Sequence, residues 1–410
     1  MSNFMSVNRR QAFAEPFSCR NFRYYWTATL FASAGKWMET VVFSWIALQM
    51  TGSPLLVGIV SACRWVGYGL GPIFGAIADR YNRRHLLLLI TSFSVGYSLV
   101  LAYLVTMDLV QYWHIIAIAL VAGLTHAFEI PLRYSFAADL VDIRILTNAV
   151  ALTTVAIDIT AMLGPAIAGP LVDIIGVAGV CWVLTVNFTL NTLALYVIKD
   201  TAATKRVSEG SLTGNLKVAV RYILNTPPVF ALLGIAFVLN LFQFPLRYTL
   251  VPFFATDVFG LGASGYGFLL SASGTGALIG ATLVAYLSDL QHKAWVCIVA
   301  SAAAGIAACV FSWSPWYGLS LGLQVCVGLT EAMSMTTMAA LLLLLTPNEM
   351  RGCVMGIRSL AILPLALGNL VAGTIASSFG PIIAGTFNGM LLILAVLIIA
   401  VMVPSLRKSG

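Results

Sequence analysis

Charged side chains are rare in this sequence, and several of them lie inside long apolar stretches. Charged residues make up 9% of the 410 residues. Within apolar stretches they are Lys36, Glu39, Arg64, Glu129, Arg133, Asp158, Arg247, Glu331 and Arg358. Carboxylates in an apolar environment can bind and release protons near neutral pH, and cationic groups there can bind anions. A charge at the centre of a bilayer costs at least about 2.5–3.5 kcal/mol, so such side chains face protein or water.

Residue spacing places some of these side chains, together with one histidine, on shared helix faces. Lys36 and Glu39 are three residues apart, and His126, Glu129 and Arg133 follow one another at positions i, i+3 and i+7. Residues at these spacings neighbour one another on a helix. One interpretation is that Lys36–Glu39 and Glu129–Arg133 are neutralised pairs that fix helix packing. The other is that they belong to a polar site for protons and substrate.

The second interpretation gives acids and bases separate tasks. The predicted proton carriers are Glu39, Glu129, Asp158 and Glu331. For an anionic substrate, Arg133 and Arg247 are the predicted anchors, because a guanidinium donates two parallel hydrogen bonds to a carboxylate. The alternative is that Arg133 only neutralises Glu129. The predicted substrate-binding residues are Lys36, Glu39, His126, Glu129, Arg133, Arg247 and Glu331.

The elements that must position these residues are membrane-spanning helices. Hydrophobic residues make up 60% of the sequence, and the mean hydropathy is +0.94, whereas a soluble globular protein is about 45–50% apolar and about 25% charged. This composition places the chain in a bilayer, where about 20 apolar residues form one spanning helix. Twelve such stretches are predicted, at 24–50, 55–78, 86–107, 113–138, 148–172, 179–198, 229–254, 264–287, 294–313, 317–345, 354–378 and 382–403.

Lysine and arginine residues outside these stretches indicate the orientation of the helices. All of them fall on one side of the twelve-helix arrangement, and the positive-inside rule assigns that side to the cytoplasm. Both termini and the polar linker at 199–226 are therefore predicted to be cytoplasmic. The linker separates an N-terminal bundle at 1–198 from a C-terminal bundle at 227–410. The formal net charge of +7 follows from this topology and requires no nucleic-acid partner.

An internal repeat supports two bundles of six helices. GLTHAF at 123–128 matches GLTEAM at 328–333, an offset of 205 residues (328 − 123). GPAIAG in the fifth span matches GNLVAG in the eleventh, an offset of 204 residues (368 − 164). Since each bundle has six spans, the two copies run parallel. His126 and Glu331 occupy equivalent positions and are expected to face each other across the pseudo-twofold axis.

A short connector between the second and third spans concentrates charge. Its sequence, GAIADRYNRR at 75–84, resembles the Gly-x-x-x-Asp-Arg/Lys-x-Gly-Arg/Lys-Arg/Lys loop of the major facilitator superfamily. Asn82 stands where glycine is usual, and asparagine tolerates a positive φ better than most residues. The resemblance implies an all-α fold of twelve transmembrane helices in two six-helix bundles. It also implies a secondary transporter, with no cofactor or metal, that works by alternating access.

The resemblance further implies a cytoplasmic latch. Asp79 is expected beside the positive N terminus of helix 11, which Arg351 and Arg358 flank, because a helix N terminus attracts negative charge. Arg83 is expected to contact Asp139 at the end of helix 4. These contacts are expected to form when the transporter faces outward and to break when it faces inward. The predicted gating residues are Asp79, Arg80, Arg83, Asp139, Arg351 and Arg358.

In the same superfamily, helices 2, 5, 8 and 11 form the interface between the bundles. Gly67, Gly71 and Gly75 recur every four residues in helix 2, and Gly276 and Gly280 do so in helix 8. Helices 5 and 11 carry the Gly164–Gly169 and Gly368–Gly373 repeats. Small residues let helix backbones approach closely, so these glycines are expected at that interface. Tight packing within one bundle explains them almost as well.

Further stretches resemble the drug:proton antiporter branch of the superfamily, which includes macrolide and siderophore exporters. They are NFRYYW, TGSPLLVGIV, PLRYSFAADLV, NAVAL, GPAIAGPL and RGCVMGIRS, and the resemblance covers essentially the whole chain. It implies proton-coupled export of a siderophore or drug-like compound by a monomer in a bacterial inner membrane. The alternatives are a proton- or sodium-coupled uptake carrier for an organic anion and a membrane-embedded enzyme. The sequence contains no H-E-x-x-H and no nucleotide-binding GxxxxGK[ST] motif, so a metalloprotease and an ATP-driven pump are disfavoured.

Overall fold

The chain folds into long α-helices joined by short connectors. The computed structural model describes residues 15–71, 73, 74, 77, 81–199, 220–286, 292–347 and 350–407, and this part of the chain contains no strand. The helices are α1 (Arg20–Thr51), α2 (Pro54–Leu70), α3 (Arg83–Thr106), α4 (Tyr112–Leu140), α5 (146–175), α6 (177–196), α7 (Pro227–Val258), α8 (Ala263–Tyr286), α9 (Lys293–Ser312), α10 (Tyr317–Leu345), α11 (Arg351–Leu360 and Pro364–Phe379) and α12 (Pro381–Met402).

Within the described ranges, nine helices are long and apolar enough to cross a membrane. One of the nine, Ile143–Tyr196, has 54 residues and breaks at Gly176 into α5 and α6. The 32-residue α1 and the shorter α2 complete the set. The helices therefore agree with the twelve spans predicted from the sequence.

The internal repeat is visible in the backbone of two helix connectors. Gly176 joins α5 to α6 with φ 73° and ψ 169°, and Gly380 joins α11 to α12 with φ 86° and ψ 162°. Glycine suits both positions because it adopts a positive φ without a steric penalty. The two glycines are 204 residues apart (380 − 176), which is the offset found in the sequence. The same helix pair is thus built twice.

The two ends of the helix bundle differ in charge. We call one end the basic end, because its connectors and helix termini carry Arg83, Arg84, Arg144, Lys293, Arg351 and Arg407. We call the other the acidic end, because its connectors and helix termini carry Asp108, Asp173 and Asp257. The described connectors at the acidic end contain no lysine or arginine.

The two ends also differ in how the halves of the chain pack. Towards the acidic end, one hydrophobic cluster contains residues of both halves, for example Trp45 and Val57 with Leu250 and Tyr266. Towards the basic end, each half has a separate cluster. The halves are therefore joined at the acidic end and hold separate cores at the basic end.

Glycines permit close packing between the halves: Gly169 of α5 faces the start of α8 and Gly373 of α11 faces the start of α2, as expected, whereas the described glycines of the four-residue repeats do not face the other half. Gly276 and Gly280 face α10 of their own half, and Gly67 faces α4 of its own half. In contrast, Gly267 and Gly274 of α8 face the backbone of α5 in the other half. The four-residue spacing was wrong as an interface signal because tight packing inside one half produces the same pattern.

Candidate substrate and proton site

A buried histidine lies between two carboxylates in the N-terminal half. His126 Nε2 of α4 is 2.8 Å from Glu39 Oε2 of α1, and His126 Nδ1 is 3.6 Å from Glu129 Oε2 of α4. Glu39 is 1% exposed, His126 4% and Glu129 6%. An imidazole can accept a proton on one nitrogen while the other nitrogen donates one. In the Glu39–His126–Glu129 trio, His126 is therefore hydrogen-bonded to Glu39 and lies within ion-pair distance of Glu129.

The two carboxylates of the trio are neutralised to different extents. Arg133 Nε and Nη2 lie 2.7 Å and 2.5 Å from Glu129 Oε1. Glu39 has Arg64 Nη2 at 3.5 Å from its Oε2, and among the described residues its buried Oε1 has no hydrogen-bond partner. Glu39 is thus less closely contacted by arginine than Glu129.

The Arg133 guanidinium is held from three helices. Besides Glu129, it donates through Nη1 to Thr29 Oγ1 of α1 at 3.1 Å and through Nη2 to Asn191 Oδ1 of α6 at 2.8 Å. These contacts use all three nitrogens of the fork. Arg133 is therefore already engaged before any substrate is present.

Lys36 is the cation of this region that has no carboxylate partner among the described residues. Its Nζ donates a hydrogen bond to Tyr68 Oη at 2.9 Å and lies 5.7 Å and 5.6 Å from the ring centroids of Trp65 and Tyr68. Such distances fit cation–π contacts. Of the two intrahelical pairs considered from the sequence, Glu129–Arg133 is present, while Lys36 turns away from Glu39.

An open cavity gives access to these groups. Its wall includes Ser33, Lys36, Trp37, His126, Glu129 and Arg133. Aromatic and apolar side chains supply most of the surface of binding pockets, and a few polar groups fix the ligand. The cavity wall thus combines the Lys36 ammonium, two members of the trio (His126 and Glu129) and the aromatic surface of Trp37.

The C-terminal half holds a smaller charged group. Arg247 Nη2 of α7 lies 2.9 Å from Glu331 Oε2 of α10 and 2.6 Å from Ser273 Oγ of α8, and the guanidinium lies 5.6 Å from the centroid of Phe244. Arg247 belongs to a π-helical turn, Leu246–Leu250, a feature often found at functional sites. Each predicted arginine anchor therefore pairs with a glutamate of its own half. Likewise, His126 and Glu331 find their partners within their own halves.

Comparison with known proteins now decides the family. Residues 11–409 match the transmembrane secretion effector family of the major facilitator superfamily. The chain belongs to this family of transporters. The multidrug efflux pump Tap of Mycolicibacterium fortuitum is 26% identical over 395 residues, which is 93% of this chain and 95% of that protein. The staphyloferrin A transporter of Staphylococcus aureus is 32% identical over 149 residues, which is 36% of this chain and 38% of that protein.

Solved structures show the same fold for this transporter. A POT family transporter in complex with a thioalcohol-conjugated peptide superposes with a TM-score of 0.76 at 13% identity, covering 95% of this chain and 97% of that one. A bacterial homologue of the human lysosomal transporter Spinster superposes with a TM-score of 0.72 at 13% identity, covering 97% of both chains. At such identities the likeness concerns the fold alone.

The predicted gate of the transporter is described in part. Arg83 Nη1 of α3 lies 2.8 Å from Asp139 Oδ1 of α4, as expected. This contact exists although the halves hold separate cores at the basic end, so its formation does not require the halves to meet there. Both residues belong to one half, and the expectation that the contact breaks when the transporter faces inward stays a prediction. Asp79 and Arg80 lie outside the described residues.

Three further predicted residues are placed without a shared site. Arg351 Nε donates to the carbonyls of Leu343 and Thr346 at the end of α10, where a cation is favoured by the helix dipole. Asp158 and Arg358 are half-buried and form no ion pair with any described residue. Their predicted roles in proton coupling and gating stay predictions.

Sequence reasoning missed the uncharged partners of the charged groups. Thr29 and Asn191 hold Arg133, Ser273 holds Arg247, and Trp65 and Tyr68 surround Lys36. A single amide side chain in an apolar helix, such as Asn191, could have indicated a polar contact with another helix, since buried amides require partners. Threonine and serine give no such signal, because their hydroxyls can bond to the carbonyl four residues earlier in the same helix.

Proposed function

We propose that this transporter exports a small organic compound with an anionic group and exchanges it for protons. Its relatives include a protein named as a multidrug efflux pump and one named as a staphyloferrin A transporter, which supports a drug-like or siderophore-like substrate. The observation that carries the proposal is the buried Glu39–His126–Glu129 trio together with Lys36, which has no carboxylate partner in the described part of the chain. The transporter acts as a monomer in a bacterial inner membrane.

Orientation supports loading from the cytoplasm. Lysine and arginine of short loops mark the cytoplasmic side of membrane proteins, so the basic end and both termini lie in the cytoplasm. The halves hold separate cores at that end, and such a state takes up substrate there. The bundles at 1–198 and 227–410, joined by the linker at 199–226, are the two units that rock about the site.

Proton exchange follows from the position of the trio. When the acidic end opens, a proton enters and is shared by Glu39 and His126, whose atoms are 2.8 Å apart. The proton adds positive charge beside Arg64, while Glu129 stays neutralised by Arg133. When the basic end opens, an anionic substrate binds and the proton leaves to the cytoplasm.

Lys36 is the proposed contact for the anionic group of the substrate. Its ammonium is held by the Tyr68 hydroxyl and by two aromatic rings, contacts that a carboxylate can replace with a stronger charge-assisted hydrogen bond. Arg133 and Arg247 support the site by holding Glu129 and Glu331. Trp37 and Trp65 offer apolar surface to the rest of the substrate.

The test begins with the substrate. Untargeted metabolite comparison of medium and cytosol, from cells with and without the gene, should show a compound that is depleted from the medium of the deficient cells. Everted membrane vesicles should then accumulate this compound when their interior is acidic, and a protonophore should abolish the accumulation. Accumulation that survives the protonophore and follows a sodium gradient would contradict proton coupling. Depletion from the cytosol instead of the medium would contradict export.

A further inference from the structure

The acidic end contains a contact between the halves that the proposed site does not use. Asp173, in the last turn of α5, accepts hydrogen bonds from the backbone amides of Ala263 at 3.2 Å and Ser264 at 2.9 Å. It also accepts one from the Ser264 hydroxyl. These residues begin α8, and the first amides of a helix have no partner within the helix. The carboxylate of one half thus caps a helix of the other half. We call this contact the α5–α8 junction.

A second contact of the same kind joins α11 to α2. The Ser377 hydroxyl, in the last turn of α11, accepts a hydrogen bond from the backbone amide of Leu55 at 2.9 Å. Leu55 lies in the first turn of α2. We call this contact the α11–α2 junction. Again a side chain at the end of a helix in one half caps the start of a helix in the other half.

The two junctions are copies of one arrangement. Ser377 follows Asp173 by 204 residues (377 − 173), which is an offset of the internal repeat, and Ser264 follows Leu55 by 209 (264 − 55), which is close to it. Gly373 packs on the start of α2 as Gly169 packs on the start of α8. The acidic end is therefore closed by two symmetry-related junctions, one with a carboxylate and one with a hydroxyl.

The copies differ in strength. The carboxylate of Asp173 accepts three hydrogen bonds and carries a charge, whereas Ser377 accepts one hydrogen bond from the other half. Charge-assisted hydrogen bonds are about twice as strong as neutral ones, and a negative charge at a helix N terminus adds a favourable dipole interaction. Both residues are exposed, so water and protons reach the junctions from the acidic side.

We propose that Asp173 sets the ease with which the transporter opens at its acidic end. Alternating access requires the halves to part at each end in turn, so both junctions must break before that end opens. The α5–α8 junction contributes more to closure because of its charge. This role concerns the opening equilibrium of the protein and holds for any substrate or coupling ion.

The test exchanges the two residues between the copies. Asp173→Ser gives both junctions a hydroxyl and should raise the open population at the acidic end. In hydrogen–deuterium exchange of the full-length protein in lipid nanodiscs, the amides at 263–270 should then exchange about two- to fivefold faster. This factor corresponds to the free energy that an exposed charge contributes at a helix terminus. Ser377→Asp should do the opposite and slow exchange at 55–61. The double variant should return the opening equilibrium towards that of the natural chain.

Asp108→Asn is the matched control. It removes the same charge from the same end, in the turn between α3 and α4, and Asp108 has a φ of 58° that asparagine also adopts. Its exchange pattern should be unchanged. The proposal is overturned if the amides at 263–270 exchange equally fast in the natural chain and in folded Asp173→Ser. It is also overturned if Asp108→Asn accelerates their exchange as much as Asp173→Ser does. Ser377→Asp keeps the test decisive where Asp173→Ser folds poorly. Exchange is measured without substrate, so failure of the export proposal leaves this result intact.

Discussion

The N-terminal and C-terminal halves carry charged groups at equivalent places, and the two groups leave different atoms unpaired. His126 and Glu331 are repeat partners, yet His126 lies between two carboxylates while Glu331 pairs with Arg247. The N-terminal group has more cations than carboxylates, and Glu39 Oε1 has no partner among the described residues. The C-terminal group has one cation and one carboxylate. In the proposed function, the N-terminal half changes its protonation state and the C-terminal half keeps a fixed contact.

The cost of removing a charge explains why this division is favourable. In a balanced buried pair such as Arg247–Glu331, neutralising one partner leaves the other charge buried and unpaired, at about 3–5 kcal/mol. In the N-terminal group, Arg64, Arg133 and His126 surround the two carboxylates, so a proton can be gained or lost while neighbours adjust. The variants below break each group in turn, from the largest expected effect to the smallest.

His126→Gln should have the largest effect on transport. Glutamine keeps a polar contact but cannot carry a proton between Glu39 and Glu129. We expect transport driven by a pH gradient to fall about 100-fold or more, the scale of removing a positioned proton-transfer group, while exchange of substrate for substrate persists. Transport into proteoliposomes measures both. His114→Gln is the control, because His114 caps the start of α4 at the acidic end and should leave coupling intact. Full pH-driven transport by His126→Gln would contradict a role of His126 in proton transfer.

Arg133→Ala should have the largest effect on stability. The change leaves the Glu129 carboxylate buried without its partner, at a cost of about 3–5 kcal/mol. The double change Glu129→Gln with Arg133→Gln removes both charges and should recover most of that loss. Thermal unfolding of the purified protein measures stability, and substrate binding is measured in parallel. Recovery of stability without recovery of binding would show that Arg133 touches the substrate.

Lys36→Gln should weaken substrate binding with little effect on stability. Loss of a charge-assisted hydrogen bond of about 1.5–3 kcal/mol corresponds to about a ten- to hundredfold weaker affinity. Lys36→Arg keeps the positive charge and should retain most of the affinity for an anionic compound. Binding to purified protein is the measurement. Equal affinities for the natural chain and Lys36→Gln would remove Lys36 from the substrate site.

Arg247→Lys should have the smallest effect. Lysine keeps the charge beside Glu331 but loses the guanidinium geometry that reaches Ser273 as well, a change of about 1 kcal/mol in the free energy of unfolding. Proton coupling should be unchanged. A loss of coupling as large as in His126→Gln would show that the two halves share the proton and would break the comparison.

The sequence allowed the helices, the repeat and two of the ion pairs, Glu129–Arg133 and Arg83–Asp139, to be predicted, for identifiable reasons. Hydropathy determines the spans, and the i, i+4 spacing brings Glu129 and Arg133 together within one helix. The i, i+3 spacing of Lys36 and Glu39 failed because partners from other helices, Tyr68 and His126, compete for these side chains. Such contacts depend on how the helices pack against one another. The spacing of residues along one helix gives no information about that packing.

The junctions at the acidic end were out of reach for a similar reason. In the sequence, nothing distinguishes Asp173 from other polar residues near a helix end. Its partners Ala263 and Ser264 are about 90 residues away in the chain. The repeat offset links Asp173 to Ser377, but only the packing of α5 on α8 and of α11 on α2 shows that each caps a helix of the other half. Because the hydrogen-bond partners are backbone amides, which every residue except proline has, the residue types do not reveal these contacts.

Proton release on substrate binding tests the central claim most directly. The compound found by metabolite comparison is added to the purified transporter in weak buffer, and the protons released are counted with a pH indicator. The account predicts release of about one proton per substrate in the natural chain, none in Glu39→Gln or His126→Gln, and undiminished release in Glu331→Gln. Undiminished release in Glu39→Gln, or loss of release in Glu331→Gln, would contradict the assignment of the proton to the N-terminal half.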